Sequence, residues 1–167
     1  MEEQNNALPE VSVVMPCLNE ADTLAVCIGK ARRALDESGI IGEIVVADNG
    51  STDGSQALAA GLGARVVPVA ELGYGSALMG GIEAARGRFI VMGDADDSYD
   101  FGDIPRFVEG LRGGAALVQG CRLPSGGGRV LPGAMPILHR WLGNPLFSEM
   151  ARAWFHAPIH DVYSFGV

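Results

Sequence analysis

The chain has 167 residues, of which 48% are hydrophobic and 24 are glycine, and its formal net charge is -8. That length suits one domain with a sizeable core and is short for a two-domain enzyme. The composition argues against disorder, and the charge against a nucleic-acid partner. An acidic protein that handles an anionic substrate must concentrate positive charge locally. Lys30 is the only lysine, so arginine, backbone N–H groups or a bound cation must supply it.

Residues 1–9 are acidic and polar, lack the apolar stretch of a signal peptide, and read as a disordered tail before a domain over 10–167. Val11–Met15 is a β-branched run ending at Pro16 and predicts a buried strand. Ala21–Ser38 carries Leu24, Ile28, Ala31 and Leu35 at helical spacing, with Asn19 as its N-cap, Glu20 and Asp22 at the positive end of its dipole, and Gly39 closing it. Glu43–Ala47 predicts a second strand, stopped by the turn signal Asp48-Asn49-Gly50. Thr52 or Asp53 is expected to cap a short helix running through Leu62.

Arg65–Val69 reads as a third strand, followed by a glycine-bearing turn and a helix over Ser76–Ala85. Arg88–Met92 is a fourth strand, Ile104–Leu111 a helix, and Ala116–Gln119 a fifth strand. Alternating strands and helices of these lengths imply an α/β fold with a mostly parallel sheet covered on both faces. After a glycine- and proline-rich loop at Pro124–Gly133, the stretch Ile137–Phe155 is amphipathic. It reads as core before membrane surface, with room for an interfacial helix. No apolar run approaches the roughly 18–20 residues that cross a bilayer. The three cysteines, Cys17, Cys27 and Cys121, form no C-x-x-C pair and read as reduced thiols. Together these features place the chain in the cytoplasm, with peripheral contact on the inner face of the membrane open.

Ligands of parallel sheets bind at the carboxyl ends of strands, and the polar clusters Asn19-Glu20, Asp48-Asn49 and Asp94–Asp97 sit at those ends. Asp94-Ala95-Asp96-Asp97 is the strongest signal. Two carboxylates flanking a small residue can point at one hard cation, and Mg²⁺ or Mn²⁺ held this way bridges to substrate phosphates. Acids crowded at one strand end repel each other unless a cation sits between them. Asp48 is placed to accept hydrogen bonds from a base or ribose, although a turn-and-cap role alone also explains it. Gly73-Tyr74-Gly75-Ser76 offers a backbone approach to a diphosphate but is a poor dinucleotide fingerprint, because Leu78 stands where a small residue is needed. No P-loop is present. His156 and His160 are four apart, with Pro158 between them, and read as structural or exposed. No serine has an evident triad partner. A phosphatase using an aspartyl nucleophile fits poorly, since the acidic pattern follows strand four and no lysine lies downstream.

Read together, Val13-Val14-Met15-Pro16-Cys17-Leu18-Asn19-Glu20, Glu43-Ile44-Val45-Val46-Ala47-Asp48-Asn49-Gly50-Ser51-Thr52-Asp53-Gly54-Ser55, Gly73-Tyr74-Gly75-Ser76-Ala77-Leu78 and Gly87-Arg88-Phe89-Ile90-Val91-Met92-Gly93-Asp94-Ala95-Asp96 resemble the family 2 glycosyltransferases of the GT-A fold. The resemblance is strongest to the polyprenyl- or dolichyl-phosphate sugar transferases. It implies that Pro16, Leu18, Glu20, Asp48, Asp94, Ala95, Asp96 and Arg122 bind the nucleotide. It also implies that Asp94 and Asp96 hold Mg²⁺ or Mn²⁺. The activity implied is transfer of a hexose from a GDP- or UDP-sugar to an acceptor, a lipid phosphate in the nearest subgroup. A hydroxyl acceptor would need a base, and Asp97, Asp100 and Asp161 are the candidates.

The chain departs from the family at its end. Where relatives carry a motif resembling Asp-x-x-Ser-Gly-Phe-Arg, it reads Asp161-Val162-Tyr163-Ser164-Phe165-Gly166-Val167. The expectation is a C-terminally incomplete domain, with a catalytically inactive nucleotide-binding fragment as the alternative.

Overall fold

The computed structural model describes residues 8–121 and 143–156. Contacts divide the chain into two compact units between Leu117 and Val118.

The first unit is built on four parallel strands, β1 (Val11–Cys17), β2 (Gly42–Asp48), β3 (Arg65–Pro68) and β4 (Phe89–Met92), in the order β3-β2-β1-β4. Between them run α1 (Ala21–Ser38), α2 (Ser55–Gly61) and α3 (Tyr74–Ala84). A short 3-10 turn at Phe101–Asp103 leads into α4 (Ile104–Arg112). β1 is buried along its whole length, as a central strand covered on both faces must be.

Residue parity assigns the two faces. Val11, Val13, Met15 and Cys17 share one core with Leu24, Cys27, Ile28, Ala31 and Leu35 of α1, and with Ile104 and Val108 of α4. Val14 and Ala47 point to the opposite face and meet α3. There a Cβ on Gly81 would lie 2.5 Å from Val14 Cγ1 and 3.0 Å from Ala47 Cβ. Only a residue without a side chain lets α3 come this close to the sheet.

α1 has the expected limits and ends at Gly39, whose φ of 65° supplies the left-handed cap. Its start differs from expectation. Glu20 occupies the cap position without a side-chain cap bond, while Asn19 turns left-handed at φ 58°. The first N–H of α1 is satisfied from another loop: Ala21 N donates to Asp53 Oδ2 at 2.9 Å. α2 is likewise not capped by Thr52 or Asp53. Gly54 takes the cap position at φ 95°, and Asp53 Oδ1 accepts from Ser55 N one step further on.

The expected strand at Ala116–Gln119 does not form; the segment is irregular and Leu117 is exposed. Four residues, three of them apolar, become a strand only where a neighbour completes their hydrogen-bond ladder, and no described strand pairs with them. Within the second unit, α5 covers Asn144–Phe155 and ends at His156, which is left-handed at φ 51°. Ser148 and Ala151 are buried in it, whereas Leu146, Phe147, Trp154 and Phe155 are exposed. No described helix is long and apolar enough to cross a membrane. His160 and most of 137–143 lie outside the described residues.

Candidate functional site

In the order β3-β2-β1-β4 the chain moves outward on one side of β1 and then returns to its other side. The strand order therefore reverses between β1 and β4, and the crevice beyond their carboxyl ends is where such sheets bind ligands. Pro16 helps to open it. Cys17 O accepts from Asn49 N on the β2 side, and Val14 O accepts from Gly93 N on the β4 side. By the two-residue alternation of a strand, residue 16 turns its nitrogen towards β4. Proline has no N–H to give, so the β1–β4 ladder stops there and the chain after Gly93 is free to diverge. β1 itself continues through Pro16 to Cys17, two residues beyond the predicted end, because its pairing with β2 does not use that nitrogen. Pro16 is buried, whereas Leu18, just past the strand, is 52% exposed.

Asp48 ends β2 and is 1% exposed. Its Oδ2 accepts from Gly50 N, Ser51 N and Gln56 Nε2, the last at 2.6 Å. Its Oδ1 is buried and has no hydrogen-bond partner among the described residues. A buried carboxylate oxygen without a donor is costly, and this one fits a ligand that brings an N–H or O–H. The next residue, Asn49, fixes the loop after β3: Nδ2 donates to Val69 O and Glu71 O, and Oδ1 accepts from Gly73 N.

The segment after β2 also locks the start of α1. Ser51 Oγ accepts from Asn19 N, Ser55 Oγ accepts from Glu20 N, and Asn19 Oδ1 accepts from Thr52 N. Much of the Asp48–Ser55 motif is thus scaffold that sets where Leu18 and Glu20 stand. Glu20 Oε2 is 3.3 Å from the Thr23 hydroxyl, which also donates to Ala95 O at 2.7 Å. Thr23 thereby ties the first turn of α1 to the Asp94–Asp97 loop.

In that loop Ala95 is buried and Asp94 partly buried. Burial, joined by the charge of Asp96, raises the Asp94 carboxyl above its ordinary value, against a lowering hydrogen bond from Tyr74. The Tyr74 hydroxyl donates to Asp94 Oδ1 at 2.8 Å. Asp96 Oδ1 accepts from Ser98 N. Asp97, at φ 62°, turns to α1 and pairs with Lys30 at 2.7 Å. Among the described residues no arginine, lysine or histidine pairs with Asp48, Asp94 or Asp96, and no three metal-ligating side chains cluster. Two mutually repelling carboxylates fit a divalent cation of the kind that takes one or two protein ligands and completes its shell with water and phosphate.

The structure thus brings Pro16, Leu18, Glu20, Asp48, Asp94, Ala95, Asp96 and Asp97 to one edge of the sheet. Arg122 and Asp161 lie outside the described residues. The sequence reading did not single out Thr23, Gln56 or the Tyr74 side chain. The contacts that tie them to other elements lie 72, 8 and 20 positions away, respectively, too far for spacing to reveal.

Comparison with known proteins shows the family and fold. Glycosyl transferase family 2 matches the chain over residues 12–165. Low-salt glycan biosynthesis hexosyltransferase Agl6 of Haloferax volcanii is 43% identical over 157 residues, which cover 93% of this chain and 37% of that protein. A dolichyl-phosphate hexose transferase of the same organism is 30% identical over 91% of this chain and 62% of its own length. The chain therefore spans between about a third and two thirds of these relatives. Among solved structures, glucosyl-3-phosphoglycerate synthase from Mycobacterium tuberculosis, in complex with Mn²⁺, UDP and glucosyl-3-phosphoglycerate, superposes with a TM-score of 0.54. Its identity is 31%, over 62% of this chain and 39% of that one.

Proposed function

The chain belongs to glycosyl transferase family 2 and has its GT-A fold, and from that premise we propose that it transfers a hexose from a nucleotide-sugar donor to a polyprenyl phosphate, with a divalent metal. The observation that carries the reading is the set of acids at the β1–β4 reversal that have no cationic partner among the described residues: Asp48 with its orphan oxygen, and Asp94 with Asp96.

In this reading Asp48 Oδ1 accepts from the base or ribose of the nucleotide, and exposed Leu18 offers it apolar surface. Asp94 and Asp96 hold Mg²⁺ or Mn²⁺ against the diphosphate. When bound, the cation offsets charge that develops on the departing diphosphate. Arg122 adds positive charge near the phosphates. A lipid-phosphate acceptor arrives as an anion and needs no strong base. A hydroxyl acceptor would need one, and Asp97 would then have to release Lys30, or Asp161 serve instead. The names of the two Haloferax relatives support hexose transfer, and that of the second supports a lipid-phosphate acceptor. The Mn²⁺ and UDP held by the mycobacterial structure support the donor chemistry. The reading goes with a cytoplasmic location, with peripheral contact on the inner face of a membrane open.

The test is calorimetric titration with GDP and with UDP, each with and without Mn²⁺. The expected outcome is metal-dependent binding of one nucleotide, weakened at least about tenfold by Asp94→Ala or Asp96→Ala. Equal affinity in excess chelator would overturn the reading. Sugar transfer to a polyprenyl phosphate in vesicles then tests the acceptor.

A further inference from the structure

We propose that Tyr74 is a positioning residue for the metal-binding carboxylate of Asp94, holding Oδ1 through its phenol and leaving the second oxygen to the cation. The proposal rests on the metal-dependent reading above and adds a residue from a different element to it.

The geometry delivers this phenol from rigid parts. Tyr74 is the first residue of α3, and its hydroxyl lies 2.8 Å from Asp94 Oδ1. The backbone just before it is pinned by Asn49, which is 4% exposed and donates to Val69 O and Glu71 O while accepting from Gly73 N. Gly73 sits at φ 127°, a conformation open to glycine and strained for residues with a Cβ. Further along α3, Gly81 seats the helix against Val14 and Ala47. Tyr74 is thereby anchored to β2 and β1, and the reach of its side chain towards the loop after β4 is set by both.

The chemistry of the donor matters. Asp97 in the same loop is held by a cation, Lys30, which neutralises it and would compete with a metal for it. A phenol is an uncharged donor, so it orients a carboxylate and leaves its charge available. Carboxylates that ligate metals are themselves commonly hydrogen-bonded, and loss of such a partner weakens metal binding about 10- to 100-fold.

The experiment is Mn²⁺ titration of the full chain and of Tyr74→Phe at saturating nucleotide, read by calorimetry. The expected result is a loss of Mn²⁺ affinity of about 10- to 100-fold, with the far-ultraviolet dichroism and any metal-free nucleotide binding unchanged. A merely structural role would move those two together with the metal affinity. If wild type shows metal-dependent binding and a folded Tyr74→Phe holds Mn²⁺ within about twofold of it, the proposal fails and the functional reading stands. If wild type binds no metal at saturating nucleotide, the reading fails and takes the proposal with it. Should Tyr74→Phe not fold, wild type still decides: Mg²⁺ added with nucleotide shifts the ring resonances of Tyr74, and resonances that stay in place overturn the proposal.

Discussion

At the amino-terminal edge of the sheet Glu10 and Glu43 each meet an arginine, whereas at the carboxyl-terminal edge Asp48, Asp94 and Asp96 meet none among the described residues. Glu43 accepts from Ser12 Oγ, from Arg86 N and from both arms of Arg65. Burial alone would raise its carboxyl, but these bonds outweigh burial and hold it below its ordinary value. Asp94 moves the other way, raised by burial and by Asp96. Both edges are acidic, yet only one is internally satisfied. Acids without cationic partners among the described residues, at the edge where parallel sheets bind ligands, fit a ligand that supplies the missing charge or donor.

The contrast breaks most sharply at Glu43. Glu43→Ala removes the carboxylate from Arg65, which keeps its bond to Ala84 O, and the acceptor from the Ser12 hydroxyl, while Arg86 N keeps Ser12 Oγ; it should cost about 2–3 kcal/mol, read as a lower urea midpoint at neutral pH. Because the folded-state value is depressed, this contribution is present above the unfolded value and is lost as pH falls through the folded one. Wild type and variant should therefore converge in acid, and a constant gap would show that the carboxylate charge is not the cause. A smaller effect is expected at the other edge, in its scaffold. Ser55→Ala removes the acceptor for Glu20 N and should cost about 1 kcal/mol. If it costs nothing, the loops do not lock as described.

The smallest effect has the opposite sign. The raised value of Asp94 means that its ionisation penalises the folded chain. The penalty is absent well below the unfolded value and complete above the folded one. Asp94→Asn should slightly stabilise the metal-free chain at neutral pH and make no difference in acid, as read by thermal melts in chelator. A destabilised Asp94→Asn would mean that the carboxylate is satisfied after all, and the comparison between the two edges would collapse.

Much of the architecture was legible along the chain. β-branched runs gave the four strands of the sheet, 3.6-residue spacing gave α1, and Gly39 gave its end. The strand-end position of the acidic clusters followed from the parallel sheet that this alternation implies. Other features depended on partners distant in sequence. Asn19 is the expected cap of α1 and Thr52 or Asp53 that of α2; instead Asn19 accepts from Thr52 N, and Asp53 accepts from Ala21 N as well as from Ser55 N, because the loops after β1 and β2 meet at adjacent strand ends. The expected strand at Ala116–Gln119 had the composition of a strand but no described neighbour to complete its ladder.

The sequence by itself determined the α/β class, the family motifs and the acids that a cation could bridge, because these reside in local periodicity and residue type. Tertiary structure alone decided which acids are paired. Glu43 and Asp94 are both single carboxylates in the sequence, and nothing nearby shows that Arg65 closes on one while the other receives a phenol from α3. Strand order places those partners, and burial then determines the cost of each charge.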